Sequence, residues 1–387
     1  MNILLSGKRN YRTIQALALL FCIFLPALAS PPAFAAPTKR LDDEPPLLPV
    51  ITDPSRILGV QGAPGETYSW IPWRRVGHPS CGWGNLSGPT LKDTILNYHR
   101  HGIRVLLTVC QPPNDKPPID IDAINDAAQG KADAVQCGNE EMKVADDVPF
   151  LYVKPEIFAR FYDLCERAVH AVRRDIPVLM GSLDPHVGGI DTALMWHQVQ
   201  YLDEMQVVMN RKVHPGGKWR WSDQTVGLID TWHNGYPDEN TNSLYQLFRF
   251  WAERFKVPMN QLGKHLWVVE GTGCFKGCGI DPNDPYEVAI VHVLALITNV
   301  KTAMRYGIPH FFFSGKDFIL NGILWPLGVL DLNGNPKPIR QDLPMGARTL
   351  TMSCHWGRVA VRSQVELLAA LYASCSLPRD YISILES

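Results

Sequence analysis

Ala134-Val135-Gln136-Cys137-Gly138-Asn139-Glu140 and Leu266-Trp267-Val268-Val269-Glu270 decide how this chain is read. Each is a short, largely apolar run that closes on a glutamate. A strand buried on both faces in a parallel sheet reads as a continuous apolar run, not an alternating one. A carboxylate at its end lies where barrel strands deliver functional groups, on the C-terminal rim. One such glutamate only opens a loop. Two in matching contexts point to a pair of carboxyls brought together in space.

Strands and helices alternate outward from these two runs. Ile57-Leu58-Gly59-Val60-Gln61 is a candidate first strand, and Arg104-Val105-Leu106-Leu107-Thr108-Val109 a buried one. Between them Leu91 to His101 is amphipathic and ends at Gly102, a helix C-cap. Further strands are Pro177 to Leu183, Thr225 to Thr231 and Pro309 to Phe313. Helices are expected over Ile157 to Arg174, Thr192 to Met209, Ser243 to Phe255 and Tyr286 to Tyr306. Repeated βα units of this length imply a parallel sheet. Functional-looking residues close many of the strands and do not gather at one switch point, so the expected fold is an α/β (β/α)8 TIM barrel. Gly271-Thr272-Gly273 lacks the third glycine of a dinucleotide fingerprint. Strand two must fall within Gly62 to Pro89, and no run there identifies it.

The ends of the chain read differently. Lys8, Arg9 and Arg12 precede an apolar stretch from Ile14 to Leu25, and Ala33-Phe34-Ala35 is a cleavage signal. Residues 1–36 are therefore read as a signal peptide of a secreted, extracellular or periplasmic, protein. Residues 37–54 form a proline-rich linker, 55–345 the barrel, and 346–387 a last helix with a loosely attached tail. The formal charge of −1 loses three cations and no acid with the signal, leaving a mildly acidic chain. That excludes a basic nucleic-acid face. No other stretch is long enough to cross a membrane once the signal is removed, and the chain is expected to be a monomer. An apolar content of 46% supplies core for one large domain. Of the nine cysteines, Cys22 leaves with the signal and eight remain, an even number that suggests disulfides in an exported protein. Cys110 with Cys137, at the ends of adjacent strands, and Cys274 with Cys278 are the expected pairs.

Four segments resemble the retaining glycoside hydrolases of the large barrel clan that includes cellulases, β-mannanases, β-xylosidases and β-galactosidases. Gly138-Asn139-Glu140 resembles the clan's strand-four signature, and Trp267-Val268-Val269-Glu270 its strand-seven nucleophile. Trp232-His233-Asn234-Gly235-Tyr236 falls after strand six, where the clan places a His and a Tyr. Leu327-Gly328-Val329-Leu330-Asp331-Leu332-Asn333-Gly334-Asn335-Pro336-Lys337-Pro338 resembles the segment after strand eight. The chain departs from the pattern in two places. Phe311-Phe312-Phe313-Ser314 stands where a stacking Trp is common, and His233 and Tyr236 are three apart where the clan has two.

The resemblance implies that Glu270 attacks the anomeric carbon while Glu140 protonates the departing oxygen and later activates water. Asn139 would hold the 2-hydroxyl, Tyr236 would donate to the nucleophile, and His233, Trp232 and Trp325 would contact sugar. The partner is an oligosaccharide, polysaccharide or glycoside, and no metal or other cofactor is needed. Glu141 is the rival acid, but successive residues point to different sides and the Asn-Glu pair selects Glu140. A metal-dependent barrel hydrolase would recruit His78, Asp184, His186 and His233, which lack a recognisable metal spacing. A carbohydrate-binding barrel without turnover is the third reading, and both carboxylates argue against it.

Overall fold

The computed structural model describes residues 58–62, 69, 71–81, 91–111, 132–142, 152–183, 192–230, 243–272, 299–320, 322–325, 327–336, 350–372 and 375–376. Eight parallel strands close into a barrel in sequence order. They are β1 (Leu58–Gln61), β2 (Trp73–Gly77), β3 (Arg104–Val109), β4 (Ala134–Cys137), β5 (Val178–Leu183), β6 (Thr225–Asp230), β7 (Leu266–Gly271) and β8 (His310–Phe312). β8 pairs with β1, so the barrel has no edge strand. The helices between them include α1 (Leu91–Arg100), α2 (Pro155–Val172), α3 (Thr192–Val208) and α4 (Ser243–Phe255), and residues 299–305 are helical. The expected TIM barrel is the observed fold, with most boundaries displaced by a residue or two.

Alternation along the strands separates two cores. Val105, Leu107, Val135, Met180, Val226 and Val268 face outward and pack with Phe158, Tyr162, Leu247 and Trp251 of the helices. Trp73, Leu106, Ala134, Leu179, Ile229, Val269 and Phe311 face inward and fill the barrel, with Trp267 packed against them. Trp73 meets Trp267 and Phe311 edge-on at ring separations of 5.8 and 6.0 Å. Phe311 fits because β1 carries Gly59, where a Cβ would lie 2.4 Å from its ring. This apolar plug makes the interior a packed core and not a pore.

Further along the same inward rows the residues become polar: Gln61 on β1, Arg75 on β2, Thr108 on β3 and Gln136 on β4. Arg75, Thr108 and Gln136 are fully buried. A buried polar layer is stable only when its groups satisfy one another.

β2 explains why no apolar run marked it: two of its five residues are arginines. Both are buried. Arg74 donates from Nη1 to the Ile71 and Trp73 carbonyls at 3.0 Å each.

The disulfides depart from one expectation. Cys110 and Cys137 are not partners: Cys81 bonds Cys110, and Cys137 bonds Cys165. Cys137 pairs in register with Val109, which faces outward, so its sulfur points to α2 and meets Cys165 there. Cys274 and Cys278 lie outside the described residues. Beyond the barrel, residues 350–361 form a hairpin of β11 (Leu350–Cys354) and β12 (Gly357–Val361), before α5 (Gln364–Tyr372). An earlier hairpin pairs β9 (Phe318–Leu320) with β10 (Ile323–Trp325). A Cys354–Cys375 disulfide ties the end of β11 to the chain after α5. The sequence reading had a helix and tail here; the hairpin is an addition to it.

Candidate active site

Glu270 owes its direction to an irregularity in β7. Trp267 and Val269 face the barrel interior, so strict alternation would send Glu270 outward among the helices. The register against β6 shifts there: Leu228 pairs with Val268, but Ile229 pairs with Glu270. The extra residue is a bulge that turns the strand by one position, so Val269 and Glu270 both reach the interior side. Glu270 is 8% exposed.

The inward side chain of β2 meets it there. Arg75 hydrogen-bonds the Glu270 carboxylate through Nη1, at short range. The same nitrogen donates to Gln61 Oε1 at 2.7 Å. Nη2 donates to Asn139 Oδ1 at 2.7 Å. Nε donates to Thr108 Oγ1 at 2.9 Å and to Gln136 Oε1 at 3.3 Å. All three guanidinium nitrogens are engaged, which is the use for which a planar fork of five N–H groups suits arginine better than lysine.

β4 ends just before the second glutamate. Gly138 has φ +106 and Glu140 φ +53, so the chain leaves β4 through backbone that glycine tolerates and other residues rarely adopt. Asn139 between them is clasped through its backbone. Its N–H donates to Gln111 Oε1 at 2.9 Å, and Gln111 Nε2 donates to its carbonyl at 3.0 Å. The Asn139 side chain accepts from Arg75 and donates from Nδ2 to Glu140 Oε2 at 3.2 Å. A continuous line of hydrogen bonds therefore runs from Glu270 through Arg75 and Asn139 to Glu140. Glu140 is partly exposed on the rim while Glu141 is fully buried. Glu141 accepts from the Ser182 N–H at 3.3 and 3.2 Å, away from solvent. Its carboxylate also lies near the Tyr201 hydroxyl, which burial first and then this charge push well above its ordinary range.

The structure thus brings Glu140, Asn139 and Glu270 together. Trp232, His233 and Tyr236 lie outside the described residues, and so does the side chain of Trp325, whose backbone belongs to β10. Sequence reasoning missed Arg75 and Gln111. Arg75 had a usable signal, since a paired arginine beside Trp73 and Val76 is odd in a loop and informative in a strand. Gln111 had none. Of the residues a metal reading would recruit, only His78 is described; its Nδ1 lies 2.9 Å from Ser80 Oγ and 3.0 Å from the Ser80 N–H. Two of the disulfides brace this site. Cys81–Cys110 joins the turn after β2 to the end of β3, and Cys137–Cys165 holds the end of β4 to α2.

No family model matches the chain, and no curated protein does. Solved structures do. The GH53 catalytic domain of Ignisphaera aggregans is 14% identical, with 78% of this chain and 99% of that one covered and a TM-score of 0.44. Fungal β-1,4-galactanases are 14% identical, with 73% and 96% covered and a TM-score of 0.48. A GH5_18 protein from Bifidobacterium longum is 12% identical, with 83% and 80% covered and a TM-score of 0.45. At these identities and scores the likeness adds nothing to the barrel that the strand order already defines, and function rests on the site.

Proposed function

We propose that the chain is a secreted retaining glycoside hydrolase that cleaves β-glycosidic bonds by double displacement, with Glu270 as nucleophile and Glu140 as acid/base. The observation that carries this reading is the hydrogen-bonded line Glu270–Arg75–Asn139–Glu140. It supports a pair of carboxyls held on opposite sides of one guanidinium and one amide. Contact with Arg75 favours the charged form of Glu270, which a nucleophile requires, and leaves it in a fixed direction. The Asn139 side chain offers the Glu140 carboxyl an amide N–H at 3.2 Å. In this reading Asn139 would take up the sugar's 2-hydroxyl, with His233, Tyr236, Trp232 and Trp325 as further sugar contacts. Export is supported by the three disulfides among the described residues, since such bonds persist in oxidising compartments.

The test uses the purified chain lacking residues 1–36 and a panel of aryl β-glycosides of glucose, galactose, mannose, xylose and arabinose. Turnover of at least one is expected, and proton NMR of the first product should show the β-anomer. Retention requires carboxyls about 5–5.5 Å apart, against about 6.5–9.5 Å for inversion. An α-anomer as first product, or no turnover on any sugar, would overturn the reading.

A further inference from the structure

We propose that Ser182, anchored by the buried carboxylate of Glu141, is a positioning residue for Glu140. The inference rests on the acid/base role proposed above and adds to it what aims the acid. Glu140 sits at φ +53, where a side-chain-bearing residue stays only if its surroundings over-determine it. Its backbone N–H donates to Ser182 Oγ at 2.9 Å. Ser182 is fully buried on β5, one strand over.

Ser182 reaches that position through a second bulge. The β5–β6 register shifts between Met180 and Ser182, so Ser182 pairs with the inward-facing Gly227. The residue passed over is Gly181, at φ +38. A Cβ on Gly181 would lie 1.9 Å from Glu141 Oε1, and one on Gly227 would lie 2.5 Å from the Gly181 carbonyl oxygen. The space left beside Gly181 is filled by the Glu141 carboxylate, which accepts the Ser182 N–H, while Gly227 leaves room for the Gly181 carbonyl. On the other side the Glu141 carbonyl accepts the Val153 N–H at 2.9 Å, fixing the chain just beyond the acid.

Glu140 is thus held from both flanks. Gln111 clasps Asn139 before it, Glu141 is wedged into β5 after it, and Ser182 takes its own N–H. Fixing φ and the N–H fixes the direction of the Cα–Cβ bond, and so where the carboxyl can reach. A general acid acts only within hydrogen-bond reach of the oxygen it protonates. The paired Glu140-Glu141 in the sequence accordingly divides two tasks: the first carboxyl for chemistry, the second for anchorage.

The experiment compares Ser182→Ala, Ser182→Thr and Glu140→Ala with the native chain on two aryl glycosides of one sugar that it turns over. One has a phenyl leaving group, which needs protonation; the other has 2,4-dinitrophenyl, which does not. Ser182→Ala should lower kcat/KM on the phenyl glycoside about tenfold, since misplacing a catalytic group by ~1 Å can cost about 10²-fold, and should leave the dinitrophenyl rate within about twofold. Ser182→Thr, which keeps the hydroxyl, should recover most of the loss. Glu140→Ala should show the same leaving-group pattern, more strongly. If Glu140→Ala shows that pattern and Ser182→Ala lowers both substrates equally or neither, the positioning role is overturned while the glycosidase reading stands. If Glu140→Ala itself lacks the pattern, the acid assignment falls and the positioning role with it.

Discussion

Arg75 and Glu270 meet inside the barrel although β1 and β8 separate their strands in the sheet. The contact is possible because the bulge at Val269 turns Glu270 inward and because Arg75 lies on the inward row of β2. Both partners are nearly dry, so each depends on the other. Replacing one member of a buried pair leaves an uncompensated charge and costs about 3–5 kcal/mol. Arg75→Met is expected to lose stability on that scale in urea unfolding. The double variant Arg75→Met/Glu270→Gln should recover part of the loss, because no buried anion remains. Equal stability of Arg75→Met and the native chain would show that Glu270 is held by something else.

The fold was legible where apolar runs were long and bounded. β3, β7 and α4 fall where periodicity and turn residues put them, because Arg104–Val109 and Leu266–Gly271 are buried on both faces and α4 needs one apolar stripe. β2 was illegible for the opposite reason. Its inward position is a cation that a polar layer of Gln61, Thr108, Gln136, Asn139 and Glu270 satisfies, and that layer is assembled from four other strands, β1, β3, β4 with its end, and β7. The two glutamates could be read locally, but what holds them could not. Bulges are also invisible at this level. A count of alternation alone would have turned Glu270 away from the site.

The disulfide pattern makes a direct chemical prediction. Non-reducing peptide mapping should recover Cys81 linked to Cys110, Cys137 to Cys165 and Cys354 to Cys375. A peptide joining Cys110 to Cys137 would contradict the outward direction of Cys137. The Cys137–Cys165 bridge closes 28 residues of sequence. Chain-entropy reasoning gives a loop of this size roughly 3–4 kcal/mol, so Cys137→Ala/Cys165→Ala should unfold at distinctly lower urea. That double variant also frees the end of β4, and its activity should fall along with its stability.

A pH effect on stability is expected from a carboxyl outside the hydrogen-bonded line of the candidate site. Burial raises the Glu166 carboxyl above the ordinary carboxylate range, a rise opposed by His170, the Tyr162 hydroxyl and His214, and aided by Asp163. Tyr162 donates to Glu166 at 3.3 Å and lies 3.2 Å from Gln224. A carboxyl raised on folding keeps its proton in the native state where the unfolded chain has lost it. Stability from this group is therefore greatest at low pH, falls as pH rises from the ordinary carboxylate value through the raised one, and then stays level. Glu166→Gln removes that loss and keeps an acceptor for Tyr162. The difference in melting temperature between variant and native chain should grow in the variant's favour across that window. A difference that is flat with pH would show that Glu166 is not buried as a carboxylic acid.

The last prediction separates the two glutamates by the vacancy each leaves. Glu270→Gly removes the nucleophile, so no covalent glycosyl-enzyme can form and turnover should cease. Azide can then enter the face that Glu270 occupied and attack an activated β-glycoside once, giving the α-glycosyl azide with inverted configuration. Glu140→Ala leaves the nucleophile in place. A dinitrophenyl glycoside, which leaves without protonation, should still glycosylate Glu270, and the intermediate should then accumulate because no base activates water. Azide fills the acid/base vacancy on the other face and should speed release as the β-glycosyl azide, with retained configuration. Glu141→Ala should give neither azide product, since Glu141 is fully buried and faces the Ser182 N–H, not the rim. Product configuration is read by proton NMR of the isolated azides. The same anomer from both variants, or a β-azide from Glu141→Ala, would reverse the assignment of the roles.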